Sequence, residues 1–377
     1  MPELPEVETL ARDLRKAVVG RAITEAWVSP DAPRLVQDVP VDAFCAGLLG
    51  RRIEGTARRG KFLLIGLSRR LGNVGRKGQV AGDLKVAPTS PPLPHSPRDD
   101  KGERAQDDSD SQPLRRGEPA LSISEGAQDD SVDMWWIVHR RMSGNFLHRP
   151  QGAPDEAFLR ARFRLDDASE LRFIDLRKFG TMWLVDDPAP VLAGLGPEPL
   201  DASFTDKVLA ALLAKRSAPV KAVLLDQAAV AGIGNLYADE ALHYARIHPL
   251  RPANRLTPDD VARLREGIVR ALEQGLRNLG TSIGHEEGEQ ISLRDHVNLS
   301  GQPGGNQEYV VAYGREGEPC RNCGTAIERL KIGNRSAHYC PSCQRAGSRT
   351  KAVRKGSKLE TRSSKSENRA RGARKRS

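Results

Sequence analysis

Four of the five cysteines fall in the pattern Cys320-x2-Cys323-x16-Cys340-x2-Cys343. Thiolates are the ligands zinc takes in a closed tetrahedral structural site, and two C-x2-C pairs at this separation are the usual way a chain supplies them. One structural Zn2+ is therefore expected, with no open position left for catalysis. Between the pairs, AIERLKI and RSAHYC flank Gly333-Asn334, a dipeptide suited to a tight hairpin turn. The spacing thus predicts a zinc-bound β-hairpin with Arg335 at its tip. The fifth cysteine, Cys45, stands alone and reads as a small buried apolar residue. A second constellation is AAVAGIGN at 228–235, between the helical stretches KAVLLDQ (221–227) and NLYADEALHYARI (235–247). Gly232 and Gly234 let backbone amides come close to a ligand. The N-terminus of a helix opening at Asn235 would suit a phosphate. Taken alone, that turn is equally a plain helical hairpin.

These groups need a frame. Val7, Leu10, Leu14 and Val18 form one apolar stripe, which predicts a helix over 5–19 closed by Gly20. KFLLIGL (61–67) and MWWIVHRRM (134–142) read as buried strands of one hairpin. Between them, 70–134 is polar and rich in Pro, Gly and Ser, so it is expected to be a disordered insertion. RFRL and ELRFIDL flank the polar turn 166–169 as a further hairpin. LGPEPL (195–200) breaks the pattern and reads as a hinge between domains. A helix over 258–279 follows, with Thr257 as N-cap, Pro258 in its first turn and Gly280 beyond its end.

The 377 residues carry a formal net charge of +10. Residues 345–377 hold 13 Lys/Arg against 2 Asp/Glu, so the basic balance belongs mostly to a tail that suits a polyanion. No run approaches the ~18 apolar residues of a membrane helix, and MPELPEVE lacks the apolar region of a secretory signal peptide. A cytoplasmic, nucleoid-associated protein of bacterial type is expected, with no membrane partner.

Beyond these local readings, the sequence resembles the formamidopyrimidine-DNA glycosylases, bifunctional enzymes of base-excision repair. The matching blocks are MPELPEVET at the start, RRGKFLL around Lys61, HRRMSG around Met142, DLRKFG at 175–180, LLDQAAVAGIGNLYADEAL at 224–242 and NRSAHYCPSCQ at 334–344. They span 1–69 and 135–344, in the family's order.

The resemblance implies an α+β fold: an N-terminal β-sandwich domain to about residue 190, a helix-two-turn-helix domain over 191–310, and a zinc finger over 311–344. It implies excision of oxidised purines such as 8-oxoguanine and formamidopyrimidines from double-stranded DNA, followed by β,δ-elimination at the abasic site, by a monomer. Pro2, freed by removal of Met1, would be the amine nucleophile, and α-amino groups titrate near pH 7.7–8.0. Glu3 would move protons beside it, with Glu6 in a supporting role. Lys61, Asn235 and Arg335 would hold phosphates, Lys61 and Arg335 as part of the catalytic set. Met142, Arg177 and Phe179 would fill the space left by a base rotated out of the duplex. Two departures stand out: Asn306, in GGNQ, replaces an aromatic, and HEEGEQ (285–290) is unusually acidic. An endonuclease VIII-like enzyme for oxidised pyrimidines is the nearest rival, disfavoured by Leu4 and by the full Met142, Arg177 and Phe179 set. A noncatalytic zinc-dependent DNA-binding protein is the rival from another class.

Overall fold

The computed structural model describes residues 2–68, 132–282 and 296–346. The expected insertion up to 131, the HEEGEQ stretch and the basic tail from 347 lie outside them. Helix α1 (Leu4–Val18) is followed by β1 (Ile23–Val28), α2 (Val41–Leu48), β2 (Ile53–Arg59) and β3 (Phe62–Ser68). Then come β4 (Val132–His139), β5 (Asn145–Pro150), β6 (Leu159–Leu165), β7 (Ser169–Ile174) and β8 (Thr181–Val185). The strands form two antiparallel four-stranded sheets, ordered β1-β6-β7-β5 and β2-β3-β4-β8.

The expected hairpin is present: Phe62 pairs with His139 and the ladder runs on to Ser68 opposite Val132. The register is regular from Phe62 opposite His139 to Leu67 opposite Met134 and shifts at the last pair, Ser68 opposite Val132. The sheets enclose one core around Trp136, whose ring lies 4.3 Å from Phe163 and 5.8 Å from Phe146. The expected stripe Val7, Leu10, Leu14 and Val18 is fully buried there. The 162–186 region divides between the sheets: β6 and β7 make the expected hairpin, whereas β8 joins the other sheet beside β4.

The second half is helical: α3 (Ala189–Leu192), α4 (Asp206–Ala214), α5 (Val220–Leu225), α6 (Asn235–Ala245) and α7 (Pro258–Arg277). Thr257 and Asp260 form a reciprocal capping box at the start of α7. Gly275 of α7 passes so close to α6 that a Cβ there would stand 2.3 Å from the Tyr237 hydroxyl. Two short strands, β9 (Glu328–Ile332) and β10 (Arg335–Tyr339), form the expected hairpin. No helix among the described residues is long and apolar enough to cross a membrane.

The LGPEPL segment is irregular, as expected, and carries a buried charge cluster. Glu198 is buried and receives Arg58 at 2.8 Å, Arg59 at 2.9 Å and the Gly60 N–H; Arg58 also reaches Glu8 at 3.1 Å. Burial pushes the Glu198 carboxyl up, but Arg58, the Gly60 N–H and Arg59 outweigh it, so its pKa lies below the ordinary 4.5. Removing one partner of a buried pair strands the other, at about 3–5 kcal/mol. Glu198→Ala should lose about that much stability in urea unfolding at pH 7. The lowered pKa means the stability from the ionised carboxylate is fully present above pH 4.5 and lost as pH falls through the folded value. The gap between wild type and Glu198→Gln should therefore narrow below pH 4.5.

Candidate active site

Pro2 and Glu3 precede α1, and both are buried. The cause is the placement of α1 across two cores. Leu4 packs among Val230, Ile233 and Leu236 of the helical half, whereas Val7 and the residues after it pack in the sandwich. The Leu4 N–H donates to Gly232 O at 3.0 Å. The Glu3 carboxylate accepts the N–H groups of Gly234 at 2.6 Å, Leu236 at 3.0 Å and Tyr237 at 3.4 Å. It therefore caps α6 from 231 residues away, where Gly234 offers no side chain of its own. A Cβ at Gly234 would stand 2.3 Å from Glu3 Cδ, so only glycine admits the carboxylate. The Glu3 carboxylate thus takes three of the N–H groups at the start of α6, those of Gly234, Leu236 and Tyr237. Glu3 N–H in turn donates to Glu6 at 2.8 Å, and Glu6 also receives Tyr237 Oη at 2.7 Å and Thr281 N–H at 2.9 Å.

Lys61 sits in the tight turn between β2 and β3, held by the Arg58, Gly60 and Glu198 contacts. It is buried, and among the described residues no hydrogen bond or ion pair satisfies its ammonium. Burial lowers its pKa; Glu3 and Glu6 pull it back and Arg335 adds to the fall. Burial raises the Glu3 carboxyl, against the pull of Lys61. Glu3, Lys61 and Arg335 thus lie within electrostatic reach of one another, and burial moves the two buried groups toward each other, the carboxyl up and the ammonium down. Arg335 opens β10 and is exposed. Its position is fixed from beneath: Lys221 donates to Ser336 O and to Asp239 at 2.6 Å, and Asp239 accepts His338 N–H at 3.0 Å. Asn235 begins α6, and its Oδ1 is buried without a partner.

Met142, Arg177 and Phe179 come together on two loops tied by Asp175. Ser143 Oγ and Arg177 N–H both bond Asp175 Oδ1, and Gly180 N–H bonds its other oxygen at 2.8 Å. The Arg177 guanidinium stacks 4.9 Å from the centre of the Phe179 ring, which is 50% exposed. A cation and an aromatic held outward in this way are free to meet a flat partner.

The four zinc-pattern cysteines are also assembled, with all Sγ atoms within 4.8 Å of one another. Sulfurs ~2.3 Å from a tetrahedral zinc would be separated by comparable distances. Asn322 N–H and Nδ2 donate to Cys320 and Cys343 sulfurs, as thiolates require, and His243 Nε2 lies 3.3 Å from Cys320 Sγ. The set fits one Zn2+ in a structural role.

Sequence reasoning missed Arg140 and His296. Arg140, beside the expected strand end, is fully buried. It donates to Gly144 O at 2.6 Å and Glu6 O at 3.3 Å, and lies 3.4 Å from His296 Nδ1. Burial pulls its pKa down to about 10, with Glu6 opposing. HRRM alone gives no signal for this, because a basic pair at a strand end normally faces water.

A β-sandwich whose buried N-terminal dipeptide caps a helix-two-turn-helix, closed by a four-cysteine hairpin, defines the class of zinc-finger DNA-repair glycosylases. Residues 1–182 match the formamidopyrimidine-DNA glycosylase N-terminal domain, 195–287 that family's H2TH domain, and 317–346 the zinc finger found in FPG and IleRS. The formamidopyrimidine-DNA glycosylase of Roseiflexus sp. is 36% identical over 347 residues, covering 92% of this chain and all of the relative. That of Synechococcus sp. is 35% identical over 91% and 99%. Among solved structures, the Lactococcus lactis Fpg complex with abasic-site DNA is 27% identical, with a TM-score of 0.67 over 91% of this chain and all of the other. The Thermus thermophilus MutM (Fpg) protein is 30% identical, with a TM-score of 0.65 over 92% and 100%. The chain belongs to the formamidopyrimidine-DNA glycosylase family.

Two outcomes follow from this geometry. Gly234→Ala should displace Glu3 and cut single-turnover base removal by at least about 100-fold, the scale of lost acid–base catalysis, while circular dichroism stays native. A strong chelator should release one zinc per chain and lower the melting temperature. It should also weaken DNA binding, because Arg335 loses its support.

Proposed function

We propose that the protein is a bifunctional DNA glycosylase and abasic-site lyase that removes oxidised purines, 8-oxoguanine and formamidopyrimidines, from double-stranded DNA as a monomer. The observation that carries this reading is the fixed, buried Pro2–Glu3 pair beside Lys61. An N-terminal secondary amine held still next to a carboxyl of raised pKa is the arrangement that imine chemistry at a sugar carbon requires.

Once Met1 is removed, Pro2 nitrogen attacks C1′ of the lesion nucleotide and the glycosidic bond breaks, its electron pair leaving with the base, which takes up the proton that the amine loses. Glu3 gives a proton to the ring oxygen as the C1′–O4′ bond opens to an iminium. Loss of a C2′ proton then expels the 3′ phosphate, and a further elimination expels the 5′ phosphate. Lys61, Asn235 and Arg335 hold the flanking phosphates, Arg335 as a forked donor. Met142, Arg177 and Phe179 enter the vacated stack, with Arg177 toward the orphaned base. Cys320, Cys323, Cys340 and Cys343 hold the zinc that stiffens the finger, and no step passes through the metal. The solved relatives in complex with lesion DNA support a DNA substrate.

Borohydride trapping tests this directly. With duplex DNA carrying 8-oxoguanine opposite cytosine, a covalent adduct should form and map to Pro2. It should vanish when Met1 is retained, and persist at a reduced level in Pro2→Gly, which keeps a primary amine. An adduct formed only with oxidised pyrimidines would move the protein to an endonuclease VIII-like specificity. Tight binding without an adduct on any lesion would overturn the imine mechanism.

A further inference from the structure

A buried chain of hydrogen bonds leads away from Glu6, and the chemistry above does not use it. Tyr237 Oη donates to Glu6 Oε1 at 2.7 Å and lies 3.3 Å from Thr281 Oγ1. Asn306 Nδ2 donates to Thr281 Oγ1 at 2.9 Å, and Asn278 Nδ2 donates to Asn306 Oδ1 at 3.1 Å. Glu6, Tyr237, Thr281 and Asn306 are all buried, Asn306 at 1% exposure.

Proton counting fixes the direction of this chain. Glu6 also receives the Glu3 and Thr281 N–H groups, so its carboxylate is the acceptor. A hydroxyl carries one proton. Tyr237 gives its proton to Glu6 and can only accept from Thr281. Thr281 gives its proton to Tyr237 and must itself accept, from the Asn306 amide. Every donor therefore points toward Glu6, and Glu6 holds the N–H of the residue that follows Pro2. A carboxylate at position 306 would accept only, and an apolar side chain would do neither. Asn306 has the donor and the acceptor that this direction demands. Its own backbone is pinned, with its N–H on Gly280 O at 3.0 Å.

We infer that Asn306 is a positioning residue for the catalytic N-terminus, acting through Thr281 and Tyr237 to orient Glu6 and, through Glu6, the Pro2–Glu3 peptide. This rests on the assignment of Pro2 as nucleophile. Loss of the Asn306 amide leaves Thr281 without its donor, so the chain can reverse and Glu6 can lose the Tyr237 proton, keeping only the Glu3 and Thr281 N–H groups. The expected consequence falls on rate rather than on affinity for DNA.

Two variants of the full-length protein test this: Asn306→Asp, which keeps shape and acceptor but lacks the donor, and Asn306→Leu, which lacks both. Amide hydrogen exchange of the N-terminal peptide should quicken in both variants, while peptides from β3 and β4 exchange as in wild type. The first-order rate of borohydride trapping at saturating enzyme should fall by about tenfold, the scale of one buried hydrogen bond. Affinity for duplex carrying a tetrahydrofuran abasic analogue should change by less than about twofold. Wild-type trapping rates in both variants, or exchange that rises uniformly along the chain with a parallel loss of affinity, would overturn the inference. If the wild type itself forms no adduct, the Pro2 mechanism fails on that result alone. N-terminal exchange in Asn306→Asp would still decide whether position 306 reaches Glu3: unchanged protection there overturns the link.

Discussion

The contact on which the site depends is the Glu3 carboxylate at the N-terminus of α6. Chain ends are ordinarily the least ordered part of a domain, and fixing each residue costs roughly 1–2 kcal/mol of backbone entropy. An N-terminus that is to be ordered must be held against that cost. The solution here is to share the terminus between two cores. Leu4 is fully buried in the helical half, and Glu3 satisfies N–H groups that Gly234 cannot cap itself. Burial of one leucine contributes about 1.5–3 kcal/mol, enough to offset much of the cost for residues 2–4. Order at Pro2 is thereby tied to the docking of the two halves, and whatever parts them also frees the N-terminus.

Helix α6 extends that constraint to the finger. Its first turn takes Glu3, and its later turns take the C-terminal segments. Asp239 accepts His338 N–H, while Glu240 accepts the N–H groups of Val311, Ala312 and Tyr313 at 2.8–2.9 Å. Gln344 bridges Cys340 N–H and Ile247 O just beyond the helix. Burial raises the Glu240 carboxyl to about 7 even with three N–H donors opposing. One helix therefore sets both the buried N-terminus and the strand that begins with the exposed Arg335. The zinc matters to the site because it stiffens a hairpin whose base is already docked on this helix.

Much of this was legible in the sequence because its signals are local. The cysteine spacing, the Gly333-Asn334 turn, the Thr257 cap and the alternation of apolar residues each act within a few positions, and each predicts an element that is present. The sandwich joined to a helical half and a zinc hairpin followed from them and from the family resemblance. The unread contacts are long-range. Glu3 as an acid in a first turn fits the helix dipole as well as it fits a distant cap. The Pro and Gly of LGPEPL indicate a break in regular structure, which is true, but nothing near Glu198 announces Arg58 140 residues earlier. Arg140 and His296 meet across 156 positions, and no period or spacing encodes that meeting.

A common arrangement recurs at the functional positions. Glu198 is saturated by Arg58, Arg59 and the Gly60 N–H, and the next residue is Lys61, buried without a partner among the described residues. Asp175 is saturated by Ser143, Arg177 N–H and Gly180 N–H, and beside it the Arg177 guanidinium, among the described residues, rests on the exposed Phe179 ring. Lys221 and Asp239 satisfy one another and the β10 backbone, and that strand begins with the exposed Arg335. A cation without a bonded partner gains little from the fold, whether it sits in a largely buried side chain or in one held outward. Such groups keep a defined position only if the backbone beside them is determined by something else. A closed hydrogen-bonded network one or two residues away supplies that determination, and it leaves the neighbouring cation to find its partner in a substrate.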